Sequence, residues 1–192
     1  MSKFLIAGLG NIGNEYTHSR HNIGFDVLHA FVKKHGSVFR VDRLAYVAEV
    51  KWKGRQLVCI CPTTYMNLSG RAFKYWMDKE KLPLENTLTI VDDLALPLDK
   101  LRLRPNGTDA GHNGLKDIQN ILGTHKYPKL RFGIGNNYPK GMQVDFVLGK
   151  WLSDEIPTVQ LKIEKCIDTI ESFVTIGIEQ TMNEVNKLSI IA

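Results

Sequence analysis

Two side chains far apart in the sequence, His21 and Asp92, are the kind of pair with which a protein turns water into a nucleophile. A neutral imidazole, with an ordinary pKa near 6.5, accepts a proton at neutral pH. A carboxylate bonded to its other nitrogen selects the tautomer that leaves the working nitrogen free, and it stabilises the imidazolium that forms. Asn11, Asn67 and Asn113 could complete such a site, because each amide can hold a peptide main chain, position a water or donate to a developing oxyanion. No Ser or Cys stands in a G-x-S-x-G elbow, so direct attack by water is the simpler chemistry. There is no H-E-x-x-H motif and no cluster of carboxylates, so no metal is expected. Each residue also has a plainer use. Histidines are more often structural or on the surface, asparagines commonly satisfy turns, and Asp92-Asp93 could cap the next element.

The stretch GLGNIGNEYTHSRHN, residues 8–22, offers a competing chemistry. Gly8, Gly10 and Gly13 satisfy the G-x-G-x-x-G spacing of a dinucleotide-binding loop. That loop works only if a helix begins at the last glycine, so that the pyrophosphate meets free N–H groups and the positive dipole end. It also needs an acidic residue about 20 positions on to hold the ribose. Here Gly13 leads into the polar NEYTHSRHN, and the later region HAFVKK is helical and basic. Two requirements fail, and no nucleotide cofactor is expected.

Strands and helices must bring the candidate residues together. Lys3–Ala7 reads as a strand, and residues 23–34 place Ile23, Val27, Ala30 and Phe31 on one helical face, with Gly36 as a stop. Residues 46–50 and 56–61 read as a hairpin around WKGR. Cys59 and Cys61 share one face of that strand and are expected as a buried pair, since no further ligands follow at zinc spacing. A helix is expected over 69–81, strands over 87–91 and 100–104, a helix over 115–122 and a strand over 130–134. A long helix follows Ser153 to about residue 174, and a last one covers 177–187. The alternation predicts an α/β fold, a single domain over 1–192 with a twisted, mostly parallel mixed sheet flanked by helices on both faces. Ligands of open α/β sheets bind outside the carboxyl ends of the strands. Asn11, Asn67 and Asp92 fall at such ends, and His21 and Asn113 lie in loops that lead into helices.

With 43% hydrophobic and 23% charged residues, the 192-residue chain has ordinary globular composition. No apolar run approaches the roughly 18 residues a membrane span needs, and no membrane partner is expected. Three cysteines are an odd count and suit a reducing cytoplasm, with no disulfide framework. The formal charge of +5 is modest, but KLRLR (100–104) and HKYPKLR (125–131) concentrate it. These runs suit either a polyanionic partner or a solvated surface.

Taken together, GLGNIGNEYTHSRHNIGF (8–25), PTTYMNLSG (62–70), VDDLALP (91–97), AGHNGLKDI (110–118), LRFGIG (130–135) and FVLGKW (146–151) resemble the bacterial peptidyl-tRNA hydrolase family, in its order. The resemblance implies a monomeric, metal-free α/β enzyme, without cofactor, that hydrolyses the ester between a peptide and the 3′-terminal ribose of tRNA. It implies His21 as catalytic base and Asp92 as its orienting carboxylate. Asn11, Asn67 and Asn113 would position substrate, water or oxyanion, and Tyr16, Tyr65 and His112 would line the substrate. Arg104 and Arg131 would meet tRNA phosphate. Ile12, Cys61, Ala95 and Ala110 depart from the family's usual residues at their positions, without touching the residues assigned to chemistry. A non-catalytic RNA-binding relative is the main alternative, and it would predict a broken His–Asp–Asn set.

Overall fold

The apolar run ahead of the glycine loop forms strand β1 (Ser2–Gly8), and its two faces feed two cores. Ile6 packs into one cluster, while Leu5 and Ala7 pack into the other, as the two-residue period of a strand requires. The computed structural model describes every residue from Met1 to Ala192. The further strands are β2 (Arg40–Asp42), β3 (Ala45–Trp52), β4 (Arg55–Pro62), β5 (Thr87–Asp93), β6 (Leu101–Arg104) and β7 (Lys129–Gly133). The helices are α1 (Ile23–Lys34), α2 (Ser69–Lys79), α3 (Asn113–Leu122), α4 (Gln143–Leu148), α5 (Ile156–Ile176) and α6 (Ile178–Val185).

All seven strands form one sheet in the order β2-β3-β4-β1-β5-β7-β6. The pairings β1–β4, β1–β5 and β5–β7 are parallel, whereas β2–β3, β3–β4 and β6–β7 are antiparallel. The mixed sheet agrees with the expectation: β4, β1, β5 and β7 form a parallel centre, and β3 and β6 run against it. Lys53 and Gly54, with φ of 44° and 78°, make a two-residue turn that forces β3 and β4 antiparallel. The link from β5 to β6 contains no crossover helix, so β6 runs back against its neighbour.

Helices cover both faces. Val27 and Phe31 of α1, Ile170 and Phe173 of α5 and Val185 of α6 fill one cluster with Cys59 and Cys61, which are buried side by side. Phe73 and Trp76 of α2 and Leu115 and Ile118 of α3 fill the other. Period-2 alternation puts Asp92 on the same side of β5 as Leu88 and Ile90, at the carboxyl end of a central strand.

Two close approaches position that end. A Cβ on Gly8 would lie 2.2 Å from the carbonyl oxygen of Gly24, and one on Gly24 would lie 2.4 Å from the Leu9 nitrogen. Lys162 of α5 is fully buried, and its ammonium donates at 2.6 Å to the Gly133 carbonyl that ends β7. Burial pulls the pKa of this lysine down to about 7.

Candidate active site

The site begins with the loop that follows β1. Asn22 closes a tight 3-10 turn, Arg20–Asn22, just before α1. Its side-chain oxygen accepts from the Asn11 N–H at 2.8 Å, and its amide donates to the Asn11 carbonyl at 2.8 Å. The loop backbone is thereby tied to the start of the helix. Asn11 in turn accepts from the Met66 N–H through Oδ1 at 2.7 Å, which leaves its side-chain NH₂ for a ligand. The glycine pattern has a packing reason. A Cβ on Gly10 would meet the Phe25 ring at 2.8 Å, and Gly13 adopts φ of 115°. Only a three-residue 3-10 turn, Asn14–Tyr16, follows Gly13, and α1 starts at Ile23, whereas a pyrophosphate loop runs straight into an α-helix.

His21 and Asp92 meet. His21 Nδ1 lies 2.9 Å and 3.0 Å from the two carboxylate oxygens of Asp92. Burial by itself would lower the pKa of His21, but the charge and hydrogen bond of Asp92 outweigh it and raise it above the ordinary value. Burial would likewise push Asp92 up, but His112 and His21 together hold its carboxyl well below the usual range. His112 Nε2 is 3.0 Å from Asp92 Oδ1, and the two imidazole rings lie 4.9 Å apart. His21, Asp92 and His112 offer ligand atoms within 4.8 Å of one another. Both rings address the carboxylate at hydrogen-bond distance, so an ion could enter only by displacing the proton of each bond.

These groups line a cavity of about 320 Å³ that also takes in Asn11, Asn67, Asn113 and Arg131. No Ser, Thr, Cys or Lys lines it. Tyr16, Tyr65 and Arg104 stand outside that lining: Tyr16 ends a 3-10 turn, Tyr65 is half exposed beside Met66, and Arg104 is exposed at the end of β6. A larger cavity of about 830 Å³ shares Asn11 but contains neither His21 nor Asp92.

Arg131 is not a free cation. It is 7% exposed, donates to the Thr108 carbonyl at 2.6 Å and lies 3.7 Å from Asp93. It holds the loop ahead of α3. Ala110, in that same loop, adopts φ of 52°, a left-handed conformation that costs a non-glycine residue about 1 kcal/mol.

Helix α4 supplies a wall that the sequence reading missed, with Val144, Val147 and Leu148 bordering the cavity. The short run QVDFVL offers little helical periodicity, and its anchor comes from the other end of the chain. Arg20, buried beside His21, donates to the Phe146 carbonyl at 3.0 Å and to Glu155 at 3.1 Å. Its guanidinium lies 4.1 Å from the centre of the Phe146 ring. Arg20→Ala would strand Glu155 and loosen the wall. It is expected to destabilise the protein by about 3 kcal/mol and to raise KM more than it lowers kcat. Thermal unfolding and steady-state kinetics check both.

An open α/β sheet that presents a carboxylate-held histidine among carboxamides, with no Ser, Thr, Cys or Lys beside them, is an arrangement that suits a hydrolytic domain. The comparisons with known proteins agree with that class and narrow it. The family model described as peptidyl-tRNA hydrolase matches residues 5–191, and the chain belongs to this family. It is 54% identical to a peptidyl-tRNA hydrolase of Phocaeicola vulgatus over 185 residues, covering 96% of this chain and 99% of that one. It is 52% identical to one from Bacteroides fragilis, with the same coverage. The crystal structure of peptidyl-tRNA hydrolase from Acinetobacter baumannii superposes with a TM-score of 0.91 at 31% identity, over 97% of this chain and 95% of that one.

Proposed function

We propose that this protein hydrolyses the ester joining a peptide's C-terminus to the 3′-terminal ribose of tRNA, with His21 as general base. Asp92 holds Nδ1 at 2.9 Å, so the N–H is on that side and Nε2 carries the lone pair that takes a proton from water. The hydroxide formed attacks the ester carbonyl, and the ribose oxygen leaves with the proton that His21 Nε2 gives up, which restores the neutral base. Asn113 is the first residue of α3, at the positive end of the helix, where an amide suits a developing oxyanion. Asn11 and Asn67 position the peptide's last residues. Exposed Arg104 meets tRNA phosphate, while Arg131 shapes the loop that carries Asn113. No helix is long and apolar enough to cross a membrane. We place the enzyme in the cytoplasm as a monomer acting without metal or cofactor.

The His21–Asp92 contact, in a cavity without a nucleophilic side chain, carries this reading. Removing a general base typically loses about 10²–10⁴-fold in rate. His21→Ala is expected to lose that much kcat on an N-blocked aminoacyl-tRNA, and near wild-type turnover would reject it as the base. The direction of the His21 shift sets the pH profile. The base must be neutral and its pKa is raised, so kcat should climb with pH through a midpoint above the ordinary histidine value. A flat profile across that range would exclude a titrating imidazole.

A further inference from the structure

His112 has no ring nitrogen left for a substrate. It is the N-cap residue of α3, and its Nδ1 accepts from the N–H groups of Gly114 at 3.1 Å and Leu115 at 3.3 Å. An acceptor nitrogen carries a lone pair, so the single proton of the neutral ring must be on Nε2. That N–H points at Asp92 Oδ1, 3.0 Å away. Protonating Nδ1 would break both capping bonds and put a cation at the positive end of the helix dipole. The His21 ring, 4.9 Å away, would add repulsion once it too was charged. The helix start therefore fixes the tautomer of the neutral His112 ring.

We infer that His112 is a positioning residue that tempers the basicity of His21 by claiming part of the Asp92 carboxylate. Oδ1 receives an N–H from His112 at 3.0 Å and one from His21 at 2.9 Å, so the two rings divide one negative charge. Without His112, the whole carboxylate would act on His21, hold its proton more tightly and delay the appearance of free base as pH rises. A base works best when its pKa lies near the operating pH, and His112 limits how far Asp92 carries His21 upward. The other charges around the dyad are spoken for. Arg131 of β7 faces Asp93 of β5 at 3.7 Å, and Arg20 is turned to Glu155. Met66 and Asn67, from the loop after β4, and the α4 residues Gln143, Val144, Val147 and Leu148 are uncharged.

The catalytic consequence rests on the hydrolase reading, but the linkage itself can be read without substrate. In ¹⁵N-labelled wild-type protein, His112 should show the Nε2–H tautomer at neutral pH, and His21 should titrate as a separate ring. A His112 that is protonated at Nδ1 or is an imidazolium would overturn the inference. His112→Ser keeps a good helix cap but is too short to reach Asp92. It should move the His21 titration midpoint, and the acid limb of kcat with it, upward by about 0.5–1 pH unit. His112→Gln, whose amide can span to Asp92, should bring the midpoint part of the way back. An unchanged His21 midpoint in folded His112→Ser, or equal shifts in the Ser and Gln variants, would reduce His112 to a helix cap and sink the proposal. If either variant fails to fold, the wild-type tautomer still decides. Absent turnover in the wild type would count against the hydrolase reading and leave the His112 linkage standing.

Discussion

Asp92→Asn is expected to lower kcat by about 10³–10⁴-fold, the scale seen when the orienting carboxylate of a hydrolytic triad becomes an amide. That corresponds to about 4–5.5 kcal/mol of lost transition-state stabilisation. The substitution changes almost no volume, so the effect comes from protons and charge. An amide NH₂ at the Oδ2 position would sit 3.0 Å from His21 Nδ1 and require that nitrogen to be the acceptor. The ring proton would then move to Nε2, the atom that must take a proton from water. The imidazolium would also lose its counter-charge, and with burial left unopposed the pKa of His21 should fall below its ordinary value. Residual activity should therefore show an acid limb displaced to lower pH. Single-turnover rates across a pH series measure both effects. A loss under tenfold would mean that Asp92 does not set the tautomer.

The same substitution should flatten part of the pH dependence of stability. Asp92 has its pKa lowered in the fold, so its contribution is present above the unfolded carboxylate value, about 3.9, and is lost as pH falls through the folded one. His21 has its pKa raised, so its contribution is complete below about 6.5 and is lost as pH rises through the folded value. The pair therefore contributes most between about pH 4 and 6.5. Urea unfolding of wild type and Asp92→Asn should differ most in that window.

Gly24→Ala is the second large effect, and it needs no chemistry. The added Cβ would lie 2.4 Å from the Leu9 nitrogen, 2.6 Å from the Ile90 carbonyl oxygen and 2.7 Å from the Leu9 carbonyl oxygen. All three are backbone atoms of the β1 end or the adjoining central strand, and none can swing aside as a side-chain tip could. Helix α1 must back away, which draws its own Ile23, Val27 and Phe31 out of the core. Overpacking of this kind costs about 3 kcal/mol or more, which for a chain of this size lowers Tm by roughly 6–12 °C. The turn that holds His21 leads directly into α1, so kcat should fall as well. A Tm within about 2 °C of wild type would show that the strand ends can yield.

The limits of sequence reading here have physical causes. The run ahead of Gly8 and the helical face at Ile23, Val27 and Phe31 were legible because local periodicity reports which side of an element is buried. The three glycines matched a cofactor loop in spacing alone, and their packing purpose was not visible. Gly8 has its partner sixteen positions away at Gly24, and no local pattern expresses such an approach. Helix α4 was missed because QVDFVL is too short for its period to show, and because Arg20 holds it from across the fold. Arg131, which the resemblance implies as a contact to tRNA phosphate, is buried against Asp93 by the β5–β7 pairing, a partnership that HKYPKLR does not express.

The types of the chemical groups and the alternation of elements were determined by the sequence alone, because residue identity and hydrophobic period are local properties. So was the absence of an elbow nucleophile. The tertiary structure alone decided which lone pair is free and which is spent. It turned Nδ1 of His21 to Asp92, committed both nitrogens of His112 and tied up Arg131. Protonation and availability depend on atoms about 3 Å away in space, and here those atoms come from β5, α3 and β7, segments that only the packed fold brings together.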